Sequence, residues 1–250
     1  MRHLAAFYSN AALGGVLTAL AAVPDTQIFT SGNILRVSPD VPLLAMAYGA
    51  YLATTITQGQ IETPSLRALA NFDVSPLSLT GPVADSQSFD DLYDAPLTLA
   101  GNESMTFSVN GTSTGAQDAY GIVEFTDGAV KPVSGNIFTV RGTGAATLSA
   151  GVFVNTPVIF DTVLPAGSYN VVGLRAEGAN LVAARIAFVG QTYRPGVLGI
   201  TASNQSDNLR YRNGASGTFG AFNINQPPTV DCLGITDTAQ VFYFDLQKTK

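Results

Sequence analysis

Carboxylates are the most numerous residues in this sequence that could do chemistry, but the usual partners of a catalytic carboxylate are scarce. The chain has 18 Asp and Glu, one histidine (His3) and one cysteine (Cys232). A Ser-His-Asp or Cys-His arrangement would need His3, at the start of the chain, to fold into a cleft. The counts also exclude metal sites built on several histidines or cysteines. We therefore expect His3 to be an exposed terminal residue and Cys232 to be a buried, small apolar one.

Paired carboxylates could hydrolyse a glycosidic bond, but the four glutamates are far apart in sequence: Glu62, Glu103, Glu124 and Glu177. Most aspartates stand beside Gly, Pro, Ser or Asn, where Asp serves turns. Asp90, Asp91 and Asp94 are close enough to bind Ca²⁺ together with backbone carbonyls. Their spacing does not match an EF-hand loop, and we favour a solvated loop. We therefore predict no catalytic residue, no cofactor and no metal ligand.

Nucleotide and sugar sites have little support. No phosphate-binding P-loop motif occurs, and Gly142-Thr-Gly144 lacks the third glycine of a dinucleotide loop, so a turn between strands is the better interpretation. The chain has no tryptophan for stacking against sugars. Three tyrosines could take that role, although packing or an interface suits them better: Tyr120, Tyr193 and Tyr211. Triplets for N-glycosylation, relevant only in a eukaryotic secretory pathway, begin at Asn102, Asn110 and Asn204.

The charge pattern argues against direct contact with nucleic acid. The net charge is −6 at pH 7, and only 12% of the residues are charged. Phosphate binding needs clustered Lys and Arg, and neither terminus carries a basic run. With 46% apolar residues, the chain can bury a large core. Its weakly charged surface suits a protein that works packed against neighbours.

The elements that must position these residues are predicted to be short strands. The 25 Gly and 13 Pro, together with many β-branched and aromatic residues, favour strands joined by turns. The expected strands are residues 27–29, 34–37, 43–56, 97–99, 105–109, 120–125, 137–140, 147–154, 158–163, 168–176, 181–189 and 240–246. The fold class is therefore all-β.

The N-terminus is the one segment with a different pattern. Residues 4–23 are rich in Ala and Leu, end at Pro24 and imitate a secretory signal. Because Ser9-Asn10 and Gly14-Gly15 interrupt the apolar run, we favour a retained structural arm or short helix. No stretch of 18 uninterrupted apolar residues predicts a membrane span.

The chain repeats itself at about half its length. Residues 47–52 and 176–181 share the pattern A-x-G-A-x-L at a spacing of 129 residues. Three more matches occur in the same order: residues 37–40 with 163–166 at 126, residues 63–69 with 194–200 at 131, and residues 122–125 with 241–244 at 119. Such a series indicates one structural unit built twice. We predict two jelly-roll or sandwich domains, residues 1–128 and 129–250, in which Gly49 and Gly178 are equivalent backbone positions.

Two β-rich halves of similar length resemble a double jelly-roll major capsid protein, the family that builds the shells of tailless icosahedral viruses, many with an internal membrane. The resemblance rests on the duplicated residues 37–69 and 163–200 and on the paired closing strands. It implies two tandem jelly-roll β-sandwiches, preceded by the N-terminal arm or short helix. It further implies a homotrimer that tiles a capsid lattice in the virion, with minor capsid proteins and an internal membrane as further partners. Direct binding of nucleic acid is not expected.

A binding module is the alternative hypothesis: a carbohydrate-binding or adhesive β-sandwich protein of a phage tail or spike, or of a bacterial surface. Three-fold fibre proteins also tolerate sequences rich in Gly, Ser, Thr and Asn. A hydrolase with an unusual site is a third hypothesis, and it would depend on one of the carboxylates named above.

Overall fold

The computed structural model describes residues 1–52, 56–66, 72–74, 76–79, 89–113, 115–200 and 211–249. Within these ranges the structure consists mainly of β-strands, with a 3-10 turn at Pro64–Leu66. The all-β prediction is confirmed. The described residues form two compact units, one ending at Ala129 and the other beginning at Val130.

The first unit contains β1 (Arg2–Ala11), β2 (Thr18–Ala19), β3 (Ala21–Ala22), β4 (Thr30–Ser31), β5 (Ile34–Arg36), β6 (Leu43–Leu52), β7 (Ile56–Glu62), β8 (Phe72–Val74), β9 (Pro76–Leu79), β10 (Asp90–Asp91), β11 (Leu97–Thr98), β12 (Ser104–Gly111) and β13 (Gln117–Thr126). One sheet has the order β10-β6-β13-β1-β3, with β9 and β11 also paired to β6. The other sheet has the order β4-β5-β12-β7-β8, with β2 also paired to β12.

The second unit contains β14 (Phe138–Gly144), β15 (Val154–Pro157), β16 (Ile159–Phe160), β17 (Ser168–Glu177), β18 (Leu181–Ala187), β19 (Gly196–Ile200), β20 (Gly220–Asn223), β21 (Thr229–Gly234) and β22 (Gln240–Lys248). These strands follow the order β15-β21-β18-β19-β17-β22-β14-β16, and β20 pairs with β17. The parallel pairing of β19 with β17 joins two sets of antiparallel strands.

The two units share one connectivity. Eight principal strands of each unit, counted in chain order, form one set ordered 1-8-3-6 and another ordered 2-7-4-5. They are β1, β5, β6, β7, β8, β10, β12 and β13 in the first unit, and β14, β15, β17, β18, β19, β20, β21 and β22 in the second. Every neighbouring pair within these sets is antiparallel. This is the eight-stranded jelly roll of two Greek keys, as the fold-class prediction states.

The repeated sequence pattern occupies one ladder position in both units. Ala47 on β6 pairs with Val123 on β13, and Ala176 on β17 pairs with Phe242 on β22. The two alanines are 129 residues apart and their partners are 119 residues apart, which are the spacings of the sequence repeats. The repeated residues therefore form the same cross-strand pair in each unit.

Phe107 organises the core of the first unit. On β12 the side chains of Met105, Phe107 and Val109 are fully buried and alternate with more exposed ones, as expected of a strand with one inward face. The Phe107 ring lies 5.8 Å from the Phe7 ring, centroid to centroid. It also covers Gly121, where an added Cβ would stand 2.5 Å from Phe107 Cγ. Glycine is therefore required at residue 121 because the ring fills the space of a side chain.

The N-terminal segment begins with a β-strand and not with the arm or short helix that the sequence predicted. Arg2–Ala11 forms β1, which pairs along its whole length with β13 and lies inside the sheet. Leu4 and Phe7 are fully buried. The helix propensity of alanine is a fraction of a kcal/mol per residue, and the ten ladder pairs with β13 outweigh it.

His3 also differs from its prediction as an exposed terminal residue. It lies within β1, its side chain has 0% exposure, and its Nε2 is 3.0 Å from Oδ2 of the buried Asp25. Its burial follows from the position of β1 inside the sheet. Cys232 is buried, as predicted.

Several strand boundaries differ as well. Residues 27–29 are irregular, and residues 147–153 lie outside any strand. The turn at Gly151, with φ of 71°, explains the second difference, because a left-handed residue interrupts an extended segment.

Candidate interaction surface

The carboxylates that the sequence offered for catalysis are mostly held in structural contacts. Glu124 on β13 is fully buried and accepts hydrogen bonds from Arg2 Nη2 at 2.8 Å and Arg2 Nε at 3.2 Å. The Tyr93 hydroxyl donates to the same carboxylate, and the Arg2 guanidinium lies 4.9 Å from the Tyr93 ring centroid. This closed cluster links β1 to β13 across a diagonal of the ladder.

The remaining glutamates do not form a catalytic pair. Glu177 is buried at 2.5 Å from Arg175. Glu103 accepts hydrogen bonds from the backbone N–H and the hydroxyl of Ser65, at 3.0 and 2.8 Å, and so connects two loops. Glu62, on β7, is half-buried.

Asp90 and Asp91 lie on β10, which pairs with β6 at the edge of its sheet, rather than in a loop as predicted. Asp94 is exposed in the turn that follows. The Asp91 Oδ1 accepts a hydrogen bond from the Tyr93 N–H at 3.2 Å, which is the turn-forming role of aspartate. Among the described residues no group of His, Cys, Asp and Glu has the arrangement of a metal site.

Asp231 is the centre of a buried cluster in the second unit. Arg185 donates to its Oδ2 at 3.0 Å, and Arg194 binds the same oxygen. Asn155 donates to Oδ1 at 2.7 Å, and the Arg185 guanidinium lies 3.8 Å from the Phe153 ring centroid. Sequence reasoning missed this cluster because its hydrogen-bonded residues lie far apart along the chain, with a separation of 76 residues between Asn155 and Asp231.

Asp245 on β22 is held in a second buried network. Arg212 donates to its two oxygens at 2.8 and 3.0 Å, the Asn213 N–H donates at 2.7 Å, and the Thr139 hydroxyl donates at 2.7 Å. Burial by itself raises the pKa of Asp245, but the hydrogen bonds from these three residues outweigh it and hold the pKa below its ordinary value. The carboxylate is therefore ionised and structural at neutral pH.

The Cys232 thiol and two of the three candidate tyrosines are buried and cannot reach a ligand. Burial raises the pKa of Cys232, so its thiol is protonated at neutral pH and is a poor nucleophile. Tyr120 and Tyr211 are 1% and 2% exposed, which excludes stacking of a sugar on either ring. Tyr193 is half-buried. Asn204, one of the glycosylation triplets, lies outside the described residues.

Large apolar side chains reach solvent in both units. The first unit exposes Met1, Val16, Leu17 and Phe29, and the second exposes Phe138, Val152, Ile159, Val163 and Val189. Single exposed apolar residues are ordinary, so their arrangement decides whether they form a surface.

Two of these residues lie close together along the edge of the second unit. β16 is the last strand of its sheet and pairs with β14 through Gly142–Phe160 and Thr143–Ile159. Ile159 is 70% exposed, and Val163, which follows the strand, is 95% exposed. Between them the exposed pair Arg141–Asp161 bridges the two strands. We call the residues Ile159, Asp161 and Val163, together with Arg141, the edge surface.

This edge can contact another chain through its exposed apolar side chains. Among the described strands none pairs with the outer side of β16, and Ile159 and Val163 present large apolar side chains to solvent. The edge surface is therefore the candidate contact site of the second unit.

Comparisons with known proteins add little to this description. No family model matches the chain, and no curated protein matches it. A solved structure, the crystal structure of the STIV MCP, is similar over 96% of this chain and 96% of that chain, with 9% identity and a TM-score of 0.25. The described part of the chain contains no helix long and apolar enough to cross a membrane.

Proposed function

We propose that this chain is a structural virion protein, a major capsid subunit that assembles through trimers into an icosahedral shell. The observation that carries the proposal is the doubled topology: one chain contains two eight-stranded jelly rolls with the same strand order. Three copies contribute six similar units, which suits a nearly hexagonal building block for a closed lattice.

The composition of the surface supports the same proposal. Only 12% of the residues are charged. Several of these charges neutralise each other in buried ion pairs within each unit. The cores of protein interfaces are depleted in charged residues. A weakly charged exterior with an exposed apolar edge is therefore suited to repeated contact with neighbouring copies.

The proposal extends to the domains and partners of the protein. We assign residues 1–128 and 129–250 to the two lobes of the capsid subunit. Its main partners are further copies of itself, with minor capsid proteins and an internal membrane as neighbours in the shell. It has no enzymatic activity and no direct contact with the genome, and its location is the virion.

Solution mass and imaging test this function. Purified protein should sediment as compact trimers or larger particles, and electron micrographs should show regular assemblies. Purified virions of the source should contain the chain as an abundant protein by mass spectrometry.

A chain that stays monomeric at every concentration and binds glycans as a discrete molecule would instead support the adhesive β-sandwich hypothesis. The burial of Tyr120 and Tyr211 removes two of the three aromatic residues on which that alternative depended.

A further inference from the structure

The net charge of −6 conceals opposite charges in the two halves of the chain. Residues 1–129 contain 12 acidic residues, three arginines and no lysine, which gives a net charge of −9. Residues 130–250 contain six acidic residues and nine basic ones, which gives a net charge of +3. A sign difference between halves indicates a surface property and not a requirement of the fold.

The first unit carries its negative charge on the outside. Five of its described exposed residues carry carboxylates: Asp40, Asp73, Asp91, Asp94 and Asp127, the last of which pairs with the N-terminal ammonium of Met1. Of its arginines, Arg2 is buried against Glu124. Arg36 is exposed and lies 5.4 Å from the Phe29 ring centroid. Negative potential therefore dominates the described surface of this unit.

The second unit neutralises its carboxylates internally. Four of its five described carboxylates are paired with arginine: Asp161 with Arg141, Glu177 with Arg175, Asp231 with Arg185 and Arg194, and Asp245 with Arg212. Asp231 alone is bound by two arginines. Lys131 and Lys248 are exposed in addition. The excess charge of this unit is therefore positive.

We propose that copies of this chain associate head to tail, with the acidic first unit of one copy against the basic second unit of the next. This inference rests on the proposed function and goes beyond it by naming the contact and its driving force. Contacts between two first units or between two second units oppose like charges, so they are disfavoured. Contacts between unlike surfaces form rings when the rotation closes, and a trimer is such a ring.

Salt and two charge variants with the same net charge test the proposal. The association constant, measured by sedimentation equilibrium, should fall about tenfold between 0.05 and 0.5 M NaCl, because exposed charges are screened over a few ångström at high salt. The variant Asp91→Asn with Asp94→Asn should associate about threefold to tenfold more weakly at low salt. Asparagine can still accept the turn hydrogen bond that Asp91 makes, so this variant should fold normally.

The matched control is Gln191→Lys with Thr192→Lys, two exposed residues of the second unit. Both variants change the net charge of the chain by +2. If association were limited only by repulsion between copies of charge −6, both variants would associate more tightly. Head-to-tail attraction predicts opposite effects, with weaker association for the first variant and equal or tighter association for the second.

The outcomes separate this inference from the proposed function. Trimers or particles whose association does not depend on salt, or that respond to both variants in the same direction, would overturn the attraction between acidic and basic units and leave the capsid function standing. Protein that is monomeric under all these conditions would overturn both.

Discussion

At the scale of single residues, the buried charges of this protein form ion pairs between segments that are distant in sequence. Arg2 and Glu124 are separated by 122 residues, and Arg212 and Asp245 by 33. A buried pair adds little stability compared with apolar residues of the same size, but removing one partner leaves an unpaired charge in the interior. These residues are therefore sensitive to substitution although none has a catalytic role in our proposal.

Asp245→Asn should destabilise the protein in a way that depends on pH. The pKa of Asp245 is lowered in the folded state, so its ion pair contributes stability above the unfolded pKa of about 3.9 and loses it as pH falls through the lower folded pKa. We expect the variant to lose about 3 kcal/mol of unfolding free energy at pH 7. Urea denaturation at pH 7 and at pH 3 should show that the difference narrows in acid.

Asp161→Asn is the matched control, because it breaks the exposed pair with Arg141 and should change stability little. An equal loss for Asp245→Asn at both pH values would show that its carboxylate charge is not what stabilises the fold.

Gly121 and Gly49 are cross-strand partners that should respond differently to the same substitution. A Cβ at Gly121 would stand 2.5 Å from Phe107 Cγ, whereas the nearest atom to a Cβ at Gly49 is 3.5 Å away. We expect Gly121→Ala to cost about 1–3 kcal/mol through overpacking and Gly49→Ala to be nearly neutral. Chemical denaturation of the two variants measures this difference. Equal stabilities would contradict the packing of Phe107 on Gly121.

At the scale of elements, β1 shows how a ladder overrides local preference. Its sequence has the alanine content of a helix, yet all ten of its residues pair with β13. The strand belongs to the sheet because its partner, more than 100 residues away, is itself buried.

Leu4→Asp distinguishes a core strand from a mobile arm. Leu4 is fully buried and stands opposite Glu124 in the ladder, so an aspartate there would be buried beside another carboxylate. We expect a loss of about 4 kcal/mol or more in thermal or urea unfolding. Val16 lies in the same apolar segment but is 65% exposed. The variant Val16→Asp should therefore unfold at the same temperature and urea concentration as the native chain. If both variants were equally stable, the N-terminal segment would be an arm after all.

At the scale of the whole molecule, the proposed function depends on contacts between copies. Each jelly roll buries its own core, so assembly relies on edges and surface charges. The edge surface and the opposite charges of the two halves are independent features, and substitutions can separate their contributions.

Ile159→Asn with Val163→Asn, which leaves the net charge unchanged, should weaken self-association without lowering the stability of the monomer. Both side chains are mostly exposed, so folding does not need them, whereas a contact through the edge surface would bury them. We expect at least about a tenfold weaker association, equivalent to about 1.4 kcal/mol.

Sedimentation measures the association of this variant, and thermal unfolding measures its stability. Val189→Asn, at another exposed apolar residue of the second unit, is the uncharged control and should associate as the native chain does. Unchanged association of the double variant would exclude the edge surface as a contact site.

The sequence by itself determined the fold class and the doubled arrangement, because turn residues and a repeated sequence pattern indicate both. Gly and Pro mark turns between short strands, and the match of residues 47–52 with 176–181 reappears as one ladder position built twice. Only the tertiary structure decided that residues 2–11 are a strand, that His3 is buried against Asp25, and that Glu124, Asp231 and Asp245 have arginine partners. The physical reason is that these outcomes depend on burial and on partners from other strands, which local propensity and spacing along the chain do not encode.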